Sequence, residues 1–214
     1  DVIVGKLFPY TQTPVFAADL RYVILHPYWD VPYSIVNREL LPLMRRDPSY
    51  VVRNDYEIVR GQTDAAQVQP VNSQTLAALA EGTLRLRQKP GPKNPLGFVK
   101  FMLPNRFNVY LHSTSAPGLF AGAQRTFSHG CIRVSDPMGL LSYVLRGNPE
   151  ADRARLPALL TDPRPARINL TKPIRVFIVY TTALAAEDGR TLFFKDIYGH
   201  DSRLQALLDA RGSG

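Results

Sequence analysis

The segment Ser128-His129-Gly130-Cys131-Ile132-Arg133 contains the only cysteine of the 214-residue chain. One histidine lies two residues before this cysteine, and fifteen residues separate a second histidine, His112, from Ser128. In thiol-based acyl transfer the thiolate is the nucleophile, an imidazole accepts its proton, and small residues let backbone N–H groups reach a developing oxyanion. The pattern therefore predicts that Cys131 is a nucleophile and that His112 and His129 are candidate bases. A small, unreactive buried thiol is the alternative for a lone cysteine.

Two positively charged or chargeable residues, His129 and Arg133, flank the cysteine. Cationic neighbours lower a thiol pKa from about 8.5 toward neutrality, so we expect a lowered pKa for Cys131. Arg133 itself has two interpretations, as a partner for a substrate carboxylate or as a brace for the loop.

Two histidines and a cysteine could also bind zinc. However, His129 and Cys131 are only two residues apart, and no acidic metal-binding motif accompanies them. The other two histidines, His26 and His200, lie in unrelated segments. The sequence therefore predicts neither a metal nor a cofactor.

The composition indicates a folded globular chain, with 45% hydrophobic and 21% charged residues. The net charge of +8 indicates either simple solubility or attraction to a polyanion. No basic run with interleaved aromatics is present, so a nucleic-acid partner is not predicted. No run of about eighteen apolar residues is present either. The chain begins at Asp1 in strand-like sequence, so we expect a domain of a longer precursor, with any membrane anchor outside it.

Residue patterns along the chain predict short strands and helices joined by proline-rich loops, since the chain has 18 prolines. Branched and aromatic residues predict strands over residues 1–5, 21–25, 98–103, 108–111, 174–180 and 191–195. Apolar spacing and capping residues predict helices over residues 32–46, 73–79, 137–147, 149–160 and 202–210. The sequence thus predicts a mixed α+β fold that is mainly β, with a helical insertion of about sixty residues between Trp29 and Gln88.

The motif residues resemble the signature of the YkuD-type L,D-transpeptidases, which are bacterial peptidoglycan enzymes. Further segments resemble the large periplasmic branch of that family, typified by YcbB. They are residues 27–32 (Pro-Tyr-Trp-Asp-Val-Pro), 41–42, 46–50, 91–97 (Gly-Pro-Lys-Asn-Pro-Leu-Gly), 110–112 and 196–198 (Asp-Ile-Tyr). The resemblance extends over nearly all of residues 1–214.

This resemblance implies a β-sandwich or barrel-like catalytic domain over residues 1–214, with residues 30–88 as an inserted substrate-capping subdomain. It implies that Cys131 is the nucleophile, that His112 is the general base, and that the backbone carbonyl of Ser113 orients His112. Gly130 and His129 are expected to shape the pocket, and the amides around residues 130–131 to contribute to the oxyanion hole. Because His129 is not universal in this branch, its expected role is supportive.

Four further residues are candidates for substrate binding. Arg133 is one, and the aromatic residues Tyr110, Phe127 and Trp29 are the others. Aromatic residues at such positions also close hydrophobic cores, and this alternative stays open for Trp29.

The resemblance implies that the partners are peptidoglycan stem peptides, with a tetrapeptide donor and a diaminopimelate acceptor joined in a 3→3 cross-link. It also implies acylation by carbapenems, a role in cell wall biogenesis and cell shape, and a location in the periplasm or cell envelope. Alternatives within the same chemistry are an L,D-carboxypeptidase and a transpeptidase that anchors proteins. An inactive peptidoglycan-binding module is the alternative from another class.

Overall fold

The computed structural model describes residues 1–6, 11–151 and 155–212. Its strands are β1 (Val2–Gly5), β2 (Phe16–Leu25), β3 (Trp29–Asp30), β4 (Tyr56–Arg60), β5 (Gln67–Gln69), β6 (Arg85–Gln88), β7 (Val99–Met102), β8 (Leu111–His112), β9 (Thr126–Ser128), β10 (Ile132–Val134), β11 (Ala166–Ile178), β12 (Ala183–Ala185) and β13 (Thr191–Phe193). Its α-helices are α1 (Tyr33–Ile35), α2 (Leu41–Arg46), α3 (Ser49–Arg53), α4 (Ser73–Ala80), α5 (Pro137–Val144), α6 (Arg155–Thr161) and α7 (His200–Gly212). A π-helical turn, Val36–Leu40, joins α1 to α2, and 3₁₀ turns lie at Pro117–Ala121 and Pro149–Ala151.

Seven strands form the main sheet, in the order β11-β2-β7-β8-β10-β1-β9. The pairs β8–β10 and β1–β9 are parallel and the other pairs are antiparallel. Among the described strands, β11 and β9 stay at opposite edges, so this sheet is open. The mixed, mainly-β fold class is confirmed, whereas the barrel-like closure that we expected is not found in the described residues.

One hydrophobic core lies between the main sheet and the helices that follow the cysteine segment. Val23, Leu25, Phe101 and Leu141 are all fully buried in it. Helix α5 begins as the sequence predicts, because the Asp136 side chain accepts a hydrogen bond of 2.8 Å from the Gly139 N–H at the helix N-terminus. This helix holds the segment after the cysteine against the sheet.

Residues 29–88 have their own sheet, in the order β3-β6-β4-β5, and their own hydrophobic core with Met44, Ile58, Leu79 and Leu86. The prediction of a helical insertion was therefore incomplete, since this region combines helices with four strands. Strand β6 was not predicted, because its polar residues do not form the pattern of a strand. Arg87 is buried in the sheet because its guanidinium pairs with Glu57 of the neighbouring strand at 2.9 Å, which no local pattern reveals. Whether this region acts as a cap stays a prediction.

The remaining elements agree with the sequence patterns only in part. Strands β9, β10 and β12 and helix α3 were not predicted, and strands β2 and β11 begin several residues before the predicted strands. Strands were predicted at β1, β2, β7, β11 and β13, and helices at α4, α5 and α7, and all are present. The strand expected at 108–111 begins only at Leu111, because Asn108 has a φ of +54°. The helix expected over 149–160 is a 3₁₀ turn and α6, and residues 152–154 between them lie outside the described residues.

Candidate active site

Pairing of β8 with β10 brings His112 and the segment that contains Cys131 together. The register aligns Ile132 with Leu111 and Arg133 with His112. The Ile132 N–H donates to the Tyr110 carbonyl at 3.0 Å, which extends this pairing by one residue toward Cys131. Because side chains alternate across a strand, Cys131 and Arg133 project from the same sheet face as His112, while buried Ile132 faces the core. The structure thus places the predicted nucleophile and the predicted base on one face of neighbouring strands.

A tight turn presents Cys131. The Ser128 hydroxyl donates to the Cys131 carbonyl at 2.5 Å and accepts from the Gly130 N–H at 3.1 Å. Gly130 has a φ of +110°, which is a conformation that residues with a Cβ rarely adopt. Ser128 is therefore a structural residue of the turn, and sequence reasoning gave it no role. The Gly130 N–H is already bonded here, so it does not point freely at a substrate oxygen.

The thiol of Cys131 is half-buried and its pKa is raised, mainly by burial. Hydrogen bonds from the backbone and the phenol of Tyr110 act in the opposite direction, as does the charge of Lys100. The S–H also donates weakly to the Asn108 carbonyl, with 3.8 Å between sulfur and oxygen. The prediction of a lowered thiol pKa is therefore wrong, because the cost of burying a thiolate outweighs the attraction of a nearby positive charge. The cation that acts on the thiol is Lys100.

The imidazole of His112 is almost completely buried, with 4% exposure. Its Nδ1 lies 2.6 Å from the Ser113 carbonyl, which is the contact that the family resemblance implies. Burial lowers the pKa of His112 to about 3, and the charges of Arg133 and Lys100 add to this effect. His112 is therefore neutral at physiological pH, as a general base must be.

A close approach of backbone supports this histidine. Gly97 has a φ of +63°, and a Cβ placed there would come within 2.5 Å of the Ser113 hydroxyl oxygen. The Ser113 N–H donates to the Val99 carbonyl at 2.9 Å. The segment from Gly97 to Val99 therefore holds Ser113 in place, and through it the orientation of His112.

Lys100 is a component of the site that sequence reasoning missed. It pairs in register with His112 on strand β7, and its ammonium lies 3.9 Å from the centre of the Tyr110 ring. Burial lowers the pKa of Lys100, while the charges of Asp30 and Cys131 raise it. The sequence feature that could have indicated its role is its position in the apolar strand Val99–Met102, because a lysine buried in such a strand needs a partner.

Cys131 lies at the wall of a cavity of about 480 Å³. The main sheet contributes Tyr22, Lys100 and Tyr110, and the insertion contributes Asp30, Val31 and Pro32. The insertion therefore forms part of the wall of this cavity. A larger cavity of about 1030 Å³ lies beside α5 and α6, and it contains none of the predicted site residues.

Arg133 has a buried Nε atom that lacks a hydrogen-bond partner among the described residues. Burial lowers the pKa of this guanidinium. A buried donor without a partner is costly. Arg133 does not line the cavity at Cys131, so its role in substrate binding stays a prediction.

The remaining predicted residues lie around the site rather than in the cavity wall. His129 Nε2 contacts Glu39 Oε1 at 2.8 Å, so the motif touches the π-helical turn of the insertion. Trp29 packs at the edge of the insertion core with its ring 6.4 Å from that of Tyr56, which supports the core interpretation. Phe127 is 39% exposed on strand β9. Neither Trp29 nor Phe127 lines the cavity at Cys131, whereas Tyr110 does.

Hydrogen bonds connect the cysteine turn to the C-terminal segment. The Thr13 hydroxyl donates to the Gly130 carbonyl at 2.9 Å and accepts from the Gly5 N–H at 2.9 Å. The Tyr198 hydroxyl donates to the Gly5 carbonyl at 2.8 Å and accepts from the Thr13 N–H at 3.3 Å. Tyr198 thus braces the turn through Thr13, a role that sequence reasoning did not assign to the Asp196-Ile197-Tyr198 segment.

Residues 1–6, 11–151 and 155–212 contain neither a cluster of metal ligands nor a helix that could span a membrane. No group of three or more His, Cys, Asp or Glu side chains is placed to hold a metal ion. No helix in these ranges has both the length and the apolar character needed to cross a bilayer.

In chemical terms, a thiol and a neutral imidazole on one sheet face, beside a cavity, form the kind of site that acyl-transfer enzymes use. Comparison with protein families matches residues 1–151 to the YkuD family, described as the L,D-transpeptidase catalytic domain. The chain belongs to this family of L,D-transpeptidases.

A relative from Haemophilus influenzae (strain ATCC 51907 / DSM 11121 / KW20 / Rd) is named "Putative L,D-transpeptidase". It is 32% identical over 195 residues, which are 90% of this chain. The chain spans 38% of the length of that relative.

Proposed function

We propose that this protein is a peptidoglycan L,D-transpeptidase that forms 3→3 cross-links through a thioester on Cys131. Family membership supports peptidoglycan transpeptidase chemistry. The observation that carries the finer proposal is the placement of Cys131 at a cavity wall, on the same sheet face as a neutral His112 held by Ser113.

In the first half-reaction the Cys131 sulfur attacks the carbonyl of diaminopimelate, the third residue of a tetrapeptide donor. His112 accepts the thiol proton as the carbon–sulfur bond forms. The peptide bond to the terminal D-alanine breaks, and the imidazolium returns its proton to the leaving amine. The products are D-alanine and a thioester on Cys131.

In the second half-reaction the side-chain amine of an acceptor diaminopimelate attacks the thioester. The carbon–sulfur bond breaks, an amide forms between the two stems, and His112 transfers the proton from the amine to the departing thiolate. The thiol is restored, so the cycle needs no cofactor.

The electrostatics of the site support this sequence of steps. Because the pKa of His112 is lowered to about 3, the imidazole is a weak base toward the thiol, and its imidazolium, once formed, readily protonates a leaving amine. The Lys100 ammonium favours the thiolate that forms while His112 holds the proton. The guanidinium of Arg133, which pairs in register with His112, is our candidate partner for a stem carboxylate.

The part of the cavity wall that the insertion forms can shield the thioester from water. Asp30, Val31 and Pro32 line the cavity, and Glu39 contacts His129 of the motif. Excluding water from the thioester until the amine arrives favours transfer over hydrolysis. We therefore propose that residues 30–88 act as a substrate cap.

The cellular setting follows from the substrate. Cross-linking of stem peptides takes place outside the cytoplasmic membrane, so we place the protein in the periplasm or cell envelope, with a role in cell wall biogenesis and cell shape. We also propose that carbapenems acylate Cys131, because they present a strained carbonyl to the same thiol.

Product analysis tests the proposal. The purified protein is incubated with disaccharide tetrapeptides, and products are identified by mass spectrometry beside Cys131→Ala as control. We expect a dimer that has lost one D-alanine, and no product from the control. A trimmed tripeptide as the only product would replace transpeptidation with L,D-carboxypeptidase activity. Absence of both products, together with binding of the tetrapeptide, would indicate the inactive binding module.

A further inference from the structure

A second cavity of about 470 Å³ lies beside the one that contains Cys131. Its charged lining residues are Asp19, Arg21, Arg106 and Arg175, and we call it the arginine groove. Pro104 and Asn105 line both cavities, so the two are neighbours on the protein surface.

The register of strand β2 explains why the arginine groove and the Cys131 cavity share one sheet face. Ala18, Leu20, Val23 and Leu25 point into the core, so the alternation of β2 shifts by one residue between Leu20 and Val23, where its pairing with β11 is irregular. Asp19 and Tyr22 therefore point to the opposite face. Tyr22 on the same strand lines the Cys131 cavity. Arg175 pairs with Asp19 from strand β11 and joins the same face.

The charges of the arginine groove are unbalanced. One carboxylate, Asp19, faces two guanidiniums, with contacts of 3.0 Å to Arg175 and 3.9 Å to Arg21. The Arg106 guanidinium lies 4.7 Å from the centre of the Phe107 ring, and within the described residues it makes no ion pair. Three guanidiniums against a single carboxylate leave a positive concave surface.

Arginine is suited to bind carboxylates, because its planar guanidinium stays charged and donates two parallel hydrogen bonds. Stacking on Phe107 restrains Arg106 before any ligand binds, which lowers the entropy cost of binding. A concave surface with such donors next to a reactive thiol fits a peptide that carries several carboxylates.

We propose that the arginine groove binds the carboxylates of an acidic stem peptide while the reacting part of that peptide occupies the Cys131 cavity. This inference rests on the proposed function, since it assigns the second cavity to the same substrate. Asp19 competes with the ligand for Arg21 and Arg175, so it limits the affinity.

The test measures affinity separately from turnover. Cys131→Ala protein is titrated calorimetrically with two probes, a tetrapeptide with free carboxylates and the same peptide with its carboxylates amidated. The groove variant carries Arg21→Gln and Arg106→Gln in this background. The matched control carries Arg45→Gln and Arg60→Gln, which replace two exposed arginines of the insertion.

We expect the groove variant to bind the free-carboxylate peptide about tenfold more weakly, because the loss of each exposed charge pair weakens binding roughly threefold. The control variant and the amidated peptide are expected to show no such difference. The loss should shrink in about 0.5 M salt, where the Debye length is only a few ångströms. Equal affinities for the groove variant and the control would overturn the proposal.

A gain of affinity provides an independent check that misfolding cannot imitate. Asp19→Asn removes the competing carboxylate, so we expect it to bind the free-carboxylate peptide about two- to threefold more tightly. Unchanged or weaker binding by this variant would count against the arginine groove.

The two proposals fail in different ways. Cross-linked product from the wild-type protein, with unaltered affinity in the groove variant, would leave the transpeptidase proposal intact and remove the arginine groove. Charge-dependent binding without any product from the wild type would keep the groove as an acidic-peptide site and remove the transpeptidase proposal.

Discussion

His112 and the backbone carbonyl of Ser113 form a contact of 2.6 Å that determines which nitrogen of the imidazole carries the proton. A carbonyl oxygen can only accept, so Nδ1 carries the proton and donates it. Nε2 then has the lone pair, which the proposed mechanism uses to accept the thiol proton.

Replacing His112 by Ala should slow acylation of Cys131 by a carbapenem about a hundredfold or more, because the general base is lost. The measurement is the rate of adduct formation by intact-protein mass spectrometry, with circular dichroism to verify folding. The Cys131→Ala protein should form no adduct at all. A rate close to wild type for the histidine variant would remove His112 from the role of base.

Lys100 should influence the reactivity of the thiol through its charge. Its ammonium lowers the pKa of Cys131 against the raising effect of burial. We therefore expect Lys100→Met to shift the pH profile of alkylation by iodoacetamide to higher pH and to slow it about tenfold near pH 8.

Lys100→Arg is the matched control, since it keeps the positive charge. Its profile should lie close to that of the wild type. Identical profiles for the Met and Arg variants would show that the charge at position 100 does not reach the sulfur.

Folding stability should depend on pH through His112. Burial lowers its folded-state pKa to about 3, whereas the unfolded value is near 6.5. Between these values the unfolded chain binds a proton that the folded protein does not. The free energy of unfolding therefore falls as the pH is lowered through this window, by up to about 1.4 kcal/mol for each pH unit.

Urea denaturation at several pH values, for wild type and His112→Gln, measures this contribution. The two proteins share all other titrating groups, so the difference between their slopes isolates His112. We expect a shallower dependence for the variant, and parallel curves would mean that the imidazole is not buried in its neutral form.

The brace from Tyr198 to the cysteine turn should affect catalysis from a distance. Thr13→Val removes both hydrogen bonds of the hydroxyl that links Gly5 with Gly130 and should cost about 1–3 kcal/mol of stability. Tyr198→Phe should cost about 1 kcal/mol. Both should slow carbapenem acylation several-fold at temperatures where the variants remain folded.

Tyr143→Phe is the control for this experiment, because Tyr143 is 57% exposed on α5 and takes no part in the brace. Its acylation rate should equal that of the wild type. If Tyr198→Phe and Thr13→Val also acylate at the wild-type rate, the brace stabilises the fold without positioning Cys131.

Local patterns predicted most of the helices and the strands that are rich in apolar residues. Branched residues indicate the strands around residues 21–25 and 174–178, and Asp136-Pro137 indicates the start of α5, because these signals depend only on neighbours in the chain. Strand β6 was missed for the opposite reason. Its buried Arg87 is stabilised by Glu57, which is thirty residues away in sequence.

The sequence by itself determined the identity of the candidate nucleophile and base, since Cys131 is the only cysteine and His112 and Ser128-His129-Gly130 form a recognisable pattern. Tertiary structure decided the electrostatics. The charge that acts on the thiol comes from Lys100 on a neighbouring part of the sheet, burial reverses the expected pKa shift, and His129 pairs with Glu39 of the insertion. Desolvation and long-range pairing depend on which segments meet in space, and that information is absent from any short stretch of the chain.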